Sequence, residues 1–117
     1  MRYFQVDVRE EPTEYGYMPV LQLYLLERKD KPRPIVIIAP GGGYESVDSE
    51  EDRVVSQYNA AGFHAAVLRY SVSPHCFPQP ERDLMQAIGL VRERAIEWGI
   101  LRDRVAICGF SAGGHLC

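Results

Sequence analysis

The sequence predicts an α/β protein with a partly parallel sheet and crossover helices. After residue 34 the predicted strands are continuously apolar, as in residues 35–39, and helical stretches separate them. This alternation of apolar strands and helices is typical of a parallel sheet built from βαβ units, whose strands are covered on both faces. Before residue 34, two segments alternate apolar and polar side chains instead, which predicts an antiparallel pair of half-buried strands.

The antiparallel strands are predicted at residues 3–9 and 21–25, with a loop over residues 10–16 between them. Each strand places its apolar side chains on one face: Phe4, Val6 and Val8 in the first, Leu21, Leu23 and Leu25 in the second. A charged, proline-broken turn over residues 27–34 then separates this pair from the rest of the sheet.

The parallel strands are predicted at residues 35–39, 65–70 and 105–108. A helix follows the first of them, because Ser49 can cap its start and Gly62 can end it. Its predicted apolar stripe is Val54, Tyr58 and Ala61.

The longest helix is predicted over residues 81–98, with Gly99 at its end. Its apolar residues recur every three or four positions, which predicts one buried face: Leu84, Ile88, Val91, Ala95 and Trp98.

Composition predicts one soluble globular unit. The 117 residues carry 13 Lys and Arg against 16 Asp and Glu, a net charge of -3, and 46% are hydrophobic. The basic residues are spread along the chain, which argues against nucleic acid or an anionic membrane as a partner. No apolar run approaches the roughly 20 residues of a membrane span. The N-terminus lacks the apolar stretch of a signal peptide, so we predict a cytoplasmic protein.

The cysteines indicate reduced thiols. Cys76, Cys108 and Cys117 form neither an even set nor a C-x-x-C pair. His75 is adjacent to Cys76, but no second ligand pair stands at the spacing of a zinc site, so no metal is expected.

The last predicted strand runs into Gly109-Phe110-Ser111-Ala112-Gly113, which matches G-x-S-x-G. A serine on a sharp turn between a strand and a helix projects its hydroxyl from the carboxyl edge of the sheet, where it can act as a nucleophile. In this context Ser111 is the predicted nucleophile. The alternative is that Ser111 only caps a helix behind a tight turn.

A second glycine motif, Gly41-Gly42-Gly43, directly follows another parallel strand. Its consecutive backbone N–H groups lie at the same edge of the sheet, where they could bind an oxyanion. A flexible loop or a phosphate cradle is the alternative for these glycines. A dinucleotide fingerprint is only partly matched, because its third glycine would fall at Ser46.

Together these motifs resemble the N-terminal half of an α/β-hydrolase, in the acetyl-esterase and lipase group related to hormone-sensitive lipase, including bacterial enzymes similar to acetyl xylan esterases. The resemblance spans nearly the whole chain and is carried by these segments: 40–44, 67–71, 78–87, 98–105 and 109–116.

The resemblance implies that Ser111 is the nucleophile and that the N–H groups of Gly42, Gly43 and Ala112 form the oxyanion hole. The glycine motif commonly begins with histidine in this group, whereas this chain has Pro40 there. Anchoring of the glycine segment by such a histidine is therefore not expected.

The three histidines differ in their expected roles. His64 precedes the second parallel strand at the opposite edge of the sheet, where a surface or packing role is expected. His115 lies four residues after Ser111, and the resemblance implies that it is buried behind the nucleophile turn. His75 lies in the loop that leaves the second parallel strand on the catalytic side, and it is a candidate for the substrate pocket together with Tyr44.

The triad acid follows the nucleophile in this fold, so a structural ion pair or loop contact near Arg69 is expected for Asp83. Ser111 is the seventh residue from the end of the chain. We therefore expect residues 1–117 to be the N-terminal part of a single α/β-hydrolase domain, truncated after the nucleophile turn, with the acid and the histidine outside it. Such a chain should be nearly inactive alone and should expose an unpaired sheet edge.

The predicted function is a serine carboxylic-ester hydrolase that needs no cofactor and acts on a small-molecule ester. The resemblance favours short acyl esters, with acetylated sugars or xylo-oligosaccharides as natural targets. Two alternatives remain: a serine peptidase of the prolyl-oligopeptidase type, and a hydrolase-fold binding module without catalysis. The sequence carries no indication of oligomeric state.

Overall fold

A computed structural model describes residues 2–27, 31–41, 51–109 and 115–116. The strands are β1 (Arg2–Asp7), β2 (Val20–Leu25), β3 (Arg33–Ala39), β4 (His64–Arg69) and β5 (Ile100–Gly109). The helices are α1 (Glu51–Ala60), α2 (Gln79–Glu93) and α3 (Ala95–Trp98). This order confirms the predicted α/β class. The predicted helix cap, Ser49, lies outside the described residues.

Within the described residues the strands form one sheet in the order β1-β2-β4-β3-β5. β1 and β2 are antiparallel, as predicted, and β2 is also antiparallel to β4. β4, β3 and β5 run parallel to one another. The carboxyl ends of β3, β4 and β5 therefore lie at one edge of the sheet, and the loop between β1 and β2 lies at that same edge.

The sheet is covered on both faces. One face packs against α2 and α3 and buries the larger core, which includes Leu23, Ile37, Leu68, Val91 and Trp98. The other face packs against α1 through a smaller core that includes Val36, Ile38, Val55 and Val67. Burial on both faces is why β3 and β4 read as continuously apolar segments.

The long predicted helix is divided in two at Arg94. Ala95 and Trp98 of α3 lie in the larger core, at 2% and 3% exposure. Gly99 then ends α3 in the left-handed conformation, with φ of 70°. The predicted buried face is confirmed, although Ile88 is only partly buried.

In α1 the predicted stripe is partly wrong. Among the described side chains of the helix Val55 is the most buried, at 4% exposure, whereas Val54 and Tyr58 are partly buried. Ala61 lies beyond the helix end and is exposed. Val55 packs against the sheet in the same buried cluster as Val36 and Ala65.

β5 is longer than the four residues predicted from its apolar run, because it begins at Ile100, which also pairs with β3. Arg33 pairs with Ile100, and after an irregularity Ile35 pairs with Val105. Among the described residues, β5 has β3 on one side and no strand on the other.

Candidate active site

The register of the sheet brings the two glycine motifs to neighbouring strand ends. β3 and β5 are adjacent and parallel, and Ala39 pairs with Gly109. Pro40 and Gly41 are buried directly after β3. Neighbouring strands lie about 4.8 Å apart, so the segment that follows Ala39 and the segment that follows Gly109 leave the sheet side by side.

The predicted catalytic atoms themselves lie outside the described residues. This holds for the nucleophile, for the three oxyanion-hole residues and for one candidate pocket residue: Ser111, Gly42, Gly43, Ala112 and Tyr44. Their roles stay predictions. The structure describes the strand ends and loops that surround them.

Tyr70 links the end of β4 to the beginning of the glycine segment. Its side chain is fully buried in the larger core. Its hydroxyl donates a hydrogen bond to the Pro40 carbonyl oxygen at 2.5 Å. The alternation of Ala66, Leu68 and Tyr70 predicts that this ring faces the core, but no sequence signal identifies its partner.

Asp83 organises the first residues of the loop that follows β4. One carboxylate oxygen accepts the Ser71 backbone N–H at 2.6 Å, and the other accepts the Gln79 side-chain amide at 2.8 Å. Asp83 and Ser71 are both fully buried. The predicted structural loop contact of Asp83 is confirmed.

His75 holds this same loop against the loop between β1 and β2. Its Nδ1 lies 2.6 Å from the Val72 carbonyl oxygen, which can only accept, so Nδ1 carries a proton. Its Nε2 lies 2.6 Å from the hydroxyl of the buried Thr13. The ring also meets Tyr15 edge-on, with centroids 5.1 Å apart. His75 therefore links two loops at the edge of the sheet where β3, β4 and β5 end. Its role in a substrate pocket stays a prediction.

Tyr17 strengthens the same loop contact. Its hydroxyl donates to the Arg69 carbonyl oxygen at 2.8 Å, and its ring packs on His75 with centroids 5.9 Å apart. Burial raises the pKa of the Tyr17 hydroxyl, the negative charge of Asp83 raises it further, and the Arg69 guanidinium opposes both effects. Sequence reasoning missed Tyr17, because its position in a proline- and glycine-containing loop shows no periodicity.

The other histidines lie elsewhere. His64 is fully buried, as a packing residue, with Nδ1 accepting the Leu26 N–H at 3.0 Å and Nε2 2.9 Å from the Gly99 carbonyl oxygen. His115 is exposed, so the expected burial is wrong. The neighbouring Leu116 points into the core at 7% exposure, and adjacent residues of a helix face different directions.

A groove of about 370 Å³ opens at the opposite end of β3, between Pro34, Phe63 and Arg104. It is remote from the strand ends that carry the glycine motifs. Among the described residues, no group of three or more His, Cys, Asp or Glu side chains could hold a metal ion. No helix in the described part of the chain has the length and apolar character that crossing a bilayer requires.

A comparison with protein families identifies the family of the chain. The BD-FAE family matches residues 21–117. The chain belongs to the BD-FAE family. Two proteins similar to this BD-FAE chain are endo-1,4-beta-xylanase B of Butyrivibrio fibrisolvens, 33% identical over 90% of the chain, and esterase LipC of Mycobacterium tuberculosis, 35% identical over 87%.

Solved structures confirm the α/β-hydrolase fold of this BD-FAE chain. The acetyl ester-xyloside bifunctional hydrolase from Caldicellulosiruptor lactoaceticus superimposes with a TM-score of 0.90 at 34% identity, over 98% of the chain. MGS-M1, an alpha/beta hydrolase enzyme from a Medee basin deep-sea metagenome library, gives a TM-score of 0.90 at 32% identity over 99% of the chain.

The BD-FAE chain is shorter than all four of these proteins. It spans 17% of the xylanase and 27% of LipC. It spans 45% and 49% of the two solved chains.

Proposed function

We propose that this chain carries the nucleophile and the oxyanion-binding segment of a serine carboxylic-ester hydrolase. The observation that supports this most is the pairing of Ala39 with Gly109 in adjacent parallel strands. Because of this pairing, the Gly41-Gly42-Gly43 segment and the Ser111 turn follow neighbouring positions at one edge of the sheet. A nucleophile and backbone donors must converge on one carbonyl group, and this register favours that convergence.

In the proposed reaction, the Ser111 hydroxyl oxygen attacks the ester carbonyl carbon and a histidine base takes the hydroxyl proton. The carbonyl π electrons move to the oxygen, and the N–H groups of Gly42, Gly43 and Ala112 stabilise the resulting oxyanion. Each such donor contributes about 3 kcal/mol to transition-state stabilisation. The alcohol then leaves with the proton, and water hydrolyses the acyl-serine.

The proposed base is neither His64 nor His75. Each has contacts at both ring nitrogens, His64 with Leu26 and Gly99, and His75 with Val72 and Thr13. In the α/β-hydrolase fold, the acid and the histidine follow the nucleophile along the chain. We propose that both lie in sequence beyond residue 117.

The proposed substrates are short acyl esters, with acetylated sugars or xylo-oligosaccharides as natural targets. This proposal draws support from the similar structure named as an acetyl ester-xyloside bifunctional hydrolase. It also fits the similarity to proteins named as an esterase and a xylanase.

The test compares Ser111→Ala with a matched serine, Ser56→Ala, which is exposed on α1. Both are made in the protein expressed from its complete reading frame. On p-nitrophenyl acetate we expect Ser111→Ala to lose at least about 10⁴-fold in kcat and Ser56→Ala to equal the wild type. A fluorophosphonate should label the wild type and Ser56→Ala but not Ser111→Ala.

Three results would contradict the proposal at different levels. Unchanged hydrolysis by Ser111→Ala would show that Ser111 is not the nucleophile. Absence of both hydrolysis and labelling in the wild type would favour a binding module. A preference for prolyl peptides or long-chain esters over p-nitrophenyl acetate and acetylated xylo-oligosaccharides would leave the nucleophile in place but overturn the substrate class.

A further inference from the structure

We propose that Tyr70 is a positioning residue that sets the orientation of the oxyanion-binding segment. The role rests on the function proposed above. It also rests on one described contact, the 2.5 Å hydrogen bond from the Tyr70 hydroxyl to the Pro40 carbonyl oxygen. Pro40 immediately precedes the three consecutive glycines.

The bond acts on a peptide unit that belongs to the glycine segment. The Pro40 carbonyl and the Gly41 N–H are parts of one planar trans peptide group, so they point in opposite directions. A donor that holds the carbonyl oxygen also holds the direction of the Gly41 N–H. Glycine has more backbone freedom than other residues, so an anchor at the start of the segment restricts a freedom that the glycines themselves do not restrict.

The contact is buried at both ends, which makes it strong and its loss costly. Tyr70 is fully buried, and Pro40 and Gly41 are buried as well. In such surroundings a carbonyl oxygen without its donor carries the full desolvation penalty, so it turns toward another donor. Turning this carbonyl rotates the planar peptide group and with it the Gly41 N–H, at the start of the glycine segment.

The glycine segment has no polar side chain of its own at its start. Pro40 begins it, and a proline side chain has no polar group with which to anchor the segment. The anchor comes instead from the end of β4. β4 lies beside β3, with Ile38 paired to Val67.

The experiment compares Tyr70→Phe with Tyr17→Phe in the protein expressed from its complete reading frame. Both substitutions remove one hydroxyl that donates to a backbone carbonyl oxygen, but the Tyr17 partner is Arg69 and not the glycine segment. Turnover of p-nitrophenyl acetate is divided by the number of serines that a fluorophosphonate titrates to completion. Because kcat is then expressed per reactive serine, unfolded protein in the preparation does not lower it.

We expect kcat of Tyr70→Phe to fall about 10- to 100-fold, because the donors are misdirected rather than deleted. KM should stay within about twofold, since the oxyanion forms only after the substrate is bound. The inhibition constant of a trifluoromethyl ketone should rise by a factor similar to the loss in kcat, because its serine adduct carries an oxyanion in the same hole. Tyr17→Phe should stay within about twofold of the wild type in all three quantities.

A second variant, p-aminophenylalanine at position 70, keeps the ring and restores an N–H donor. Its kcat should be about 3- to 10-fold above that of Tyr70→Phe, which is about half of the loss on a logarithmic scale. Unchanged kcat in Tyr70→Phe, or equal losses in Tyr70→Phe and Tyr17→Phe, would overturn the positioning role. So would a Tyr70→Phe protein that does not fold, or an amino variant without recovery. If Ser111→Ala retains activity, the proposed function fails instead, whatever Tyr70→Phe shows.

Discussion

Asp83 is a buried carboxylate whose two oxygens each accept one hydrogen bond. Asp83→Asn removes the negative charge that strengthens both hydrogen bonds and leaves one accepting oxygen in place of two. We expect a loss of about 2 kcal/mol in the free energy of unfolding, measured by denaturant titration. The control is Asp103→Asn in the exposed part of β5, for which a change within about 0.5 kcal/mol is expected. Equal effects of the two variants would contradict the structural role of Asp83.

Tyr17 gives the stability of the fold a dependence on high pH. Burial is the main cause of its raised pKa, so the folded protein holds this proton more tightly than the unfolded chain does. The stability from this effect is complete below the unfolded pKa of 10.0 and is lost as pH rises through the higher folded pKa. Between pH 9 and 11, the denaturation midpoint of Tyr17→Phe should fall less steeply than that of the wild type. Parallel slopes would contradict the assignment.

Gly99 and Gly89 allow a comparison of two glycine-to-alanine substitutions, one at the end of a helix and one inside a helix. Gly99 ends α3 with φ of 70°, a conformation that costs alanine about 1 kcal/mol. Gly89 lies inside α2, and a Cβ there meets no atom within 4 Å. We expect Gly99→Ala to destabilise the fold by about 1 kcal/mol and Gly89→Ala to stabilise it by up to about 1 kcal/mol. Thermal unfolding of both variants measures the difference, and shifts of the same sign would contradict it.

The sequence predicts the strands and helices well where apolar periodicity is strong. β2, β3 and β4 are fully or largely buried, and their apolar patterns place them within two residues of the observed ends. The extra length of β5 and the division of the long helix at Arg94 could not be predicted. The extra length depends on a partner distant in sequence, because Ile100 pairs with Arg33. The helical spacing of the apolar residues continues from Val91 to Trp98, so it gives no signal of the division.

For the candidate site, the sequence predicts the motifs and the edge of the sheet where they meet. The contacts that hold the surrounding loops are not predictable from periodicity. Thr13 and His75 are 62 positions apart and lie in two irregular loops. Tyr70 and Pro40 meet only because β4 and β3 are neighbours in the sheet.

At the scale of the whole molecule, the sheet has two edge strands within the described residues, β1 and β5, and the outer side of β5 is the edge of its parallel part. Such an edge is a template for pairing between copies, and a charge on it opposes that pairing. We expect the 117-residue polypeptide to associate with rising concentration and Ile107→Lys to reduce this. Ile96→Lys is the matched control, because Ile96 is 99% exposed on α3 and the substitution changes net charge equally. Light scattering measures the association, and equal effects of the two variants would contradict an edge mechanism.

The strand order also determines when the first part of the chain can fold during synthesis. β2 pairs with β4 rather than with β3, and Val20 meets Arg69, which is 49 positions later. At about 5–20 residues per second, the ribosome needs roughly 2 to 10 s to make that stretch. An isolated two-stranded hairpin is marginal in water, so Leu21, Leu23 and Leu25 stay exposed until β4 emerges. A translational pause between β2 and β4 therefore lengthens the time in which nascent chains can aggregate.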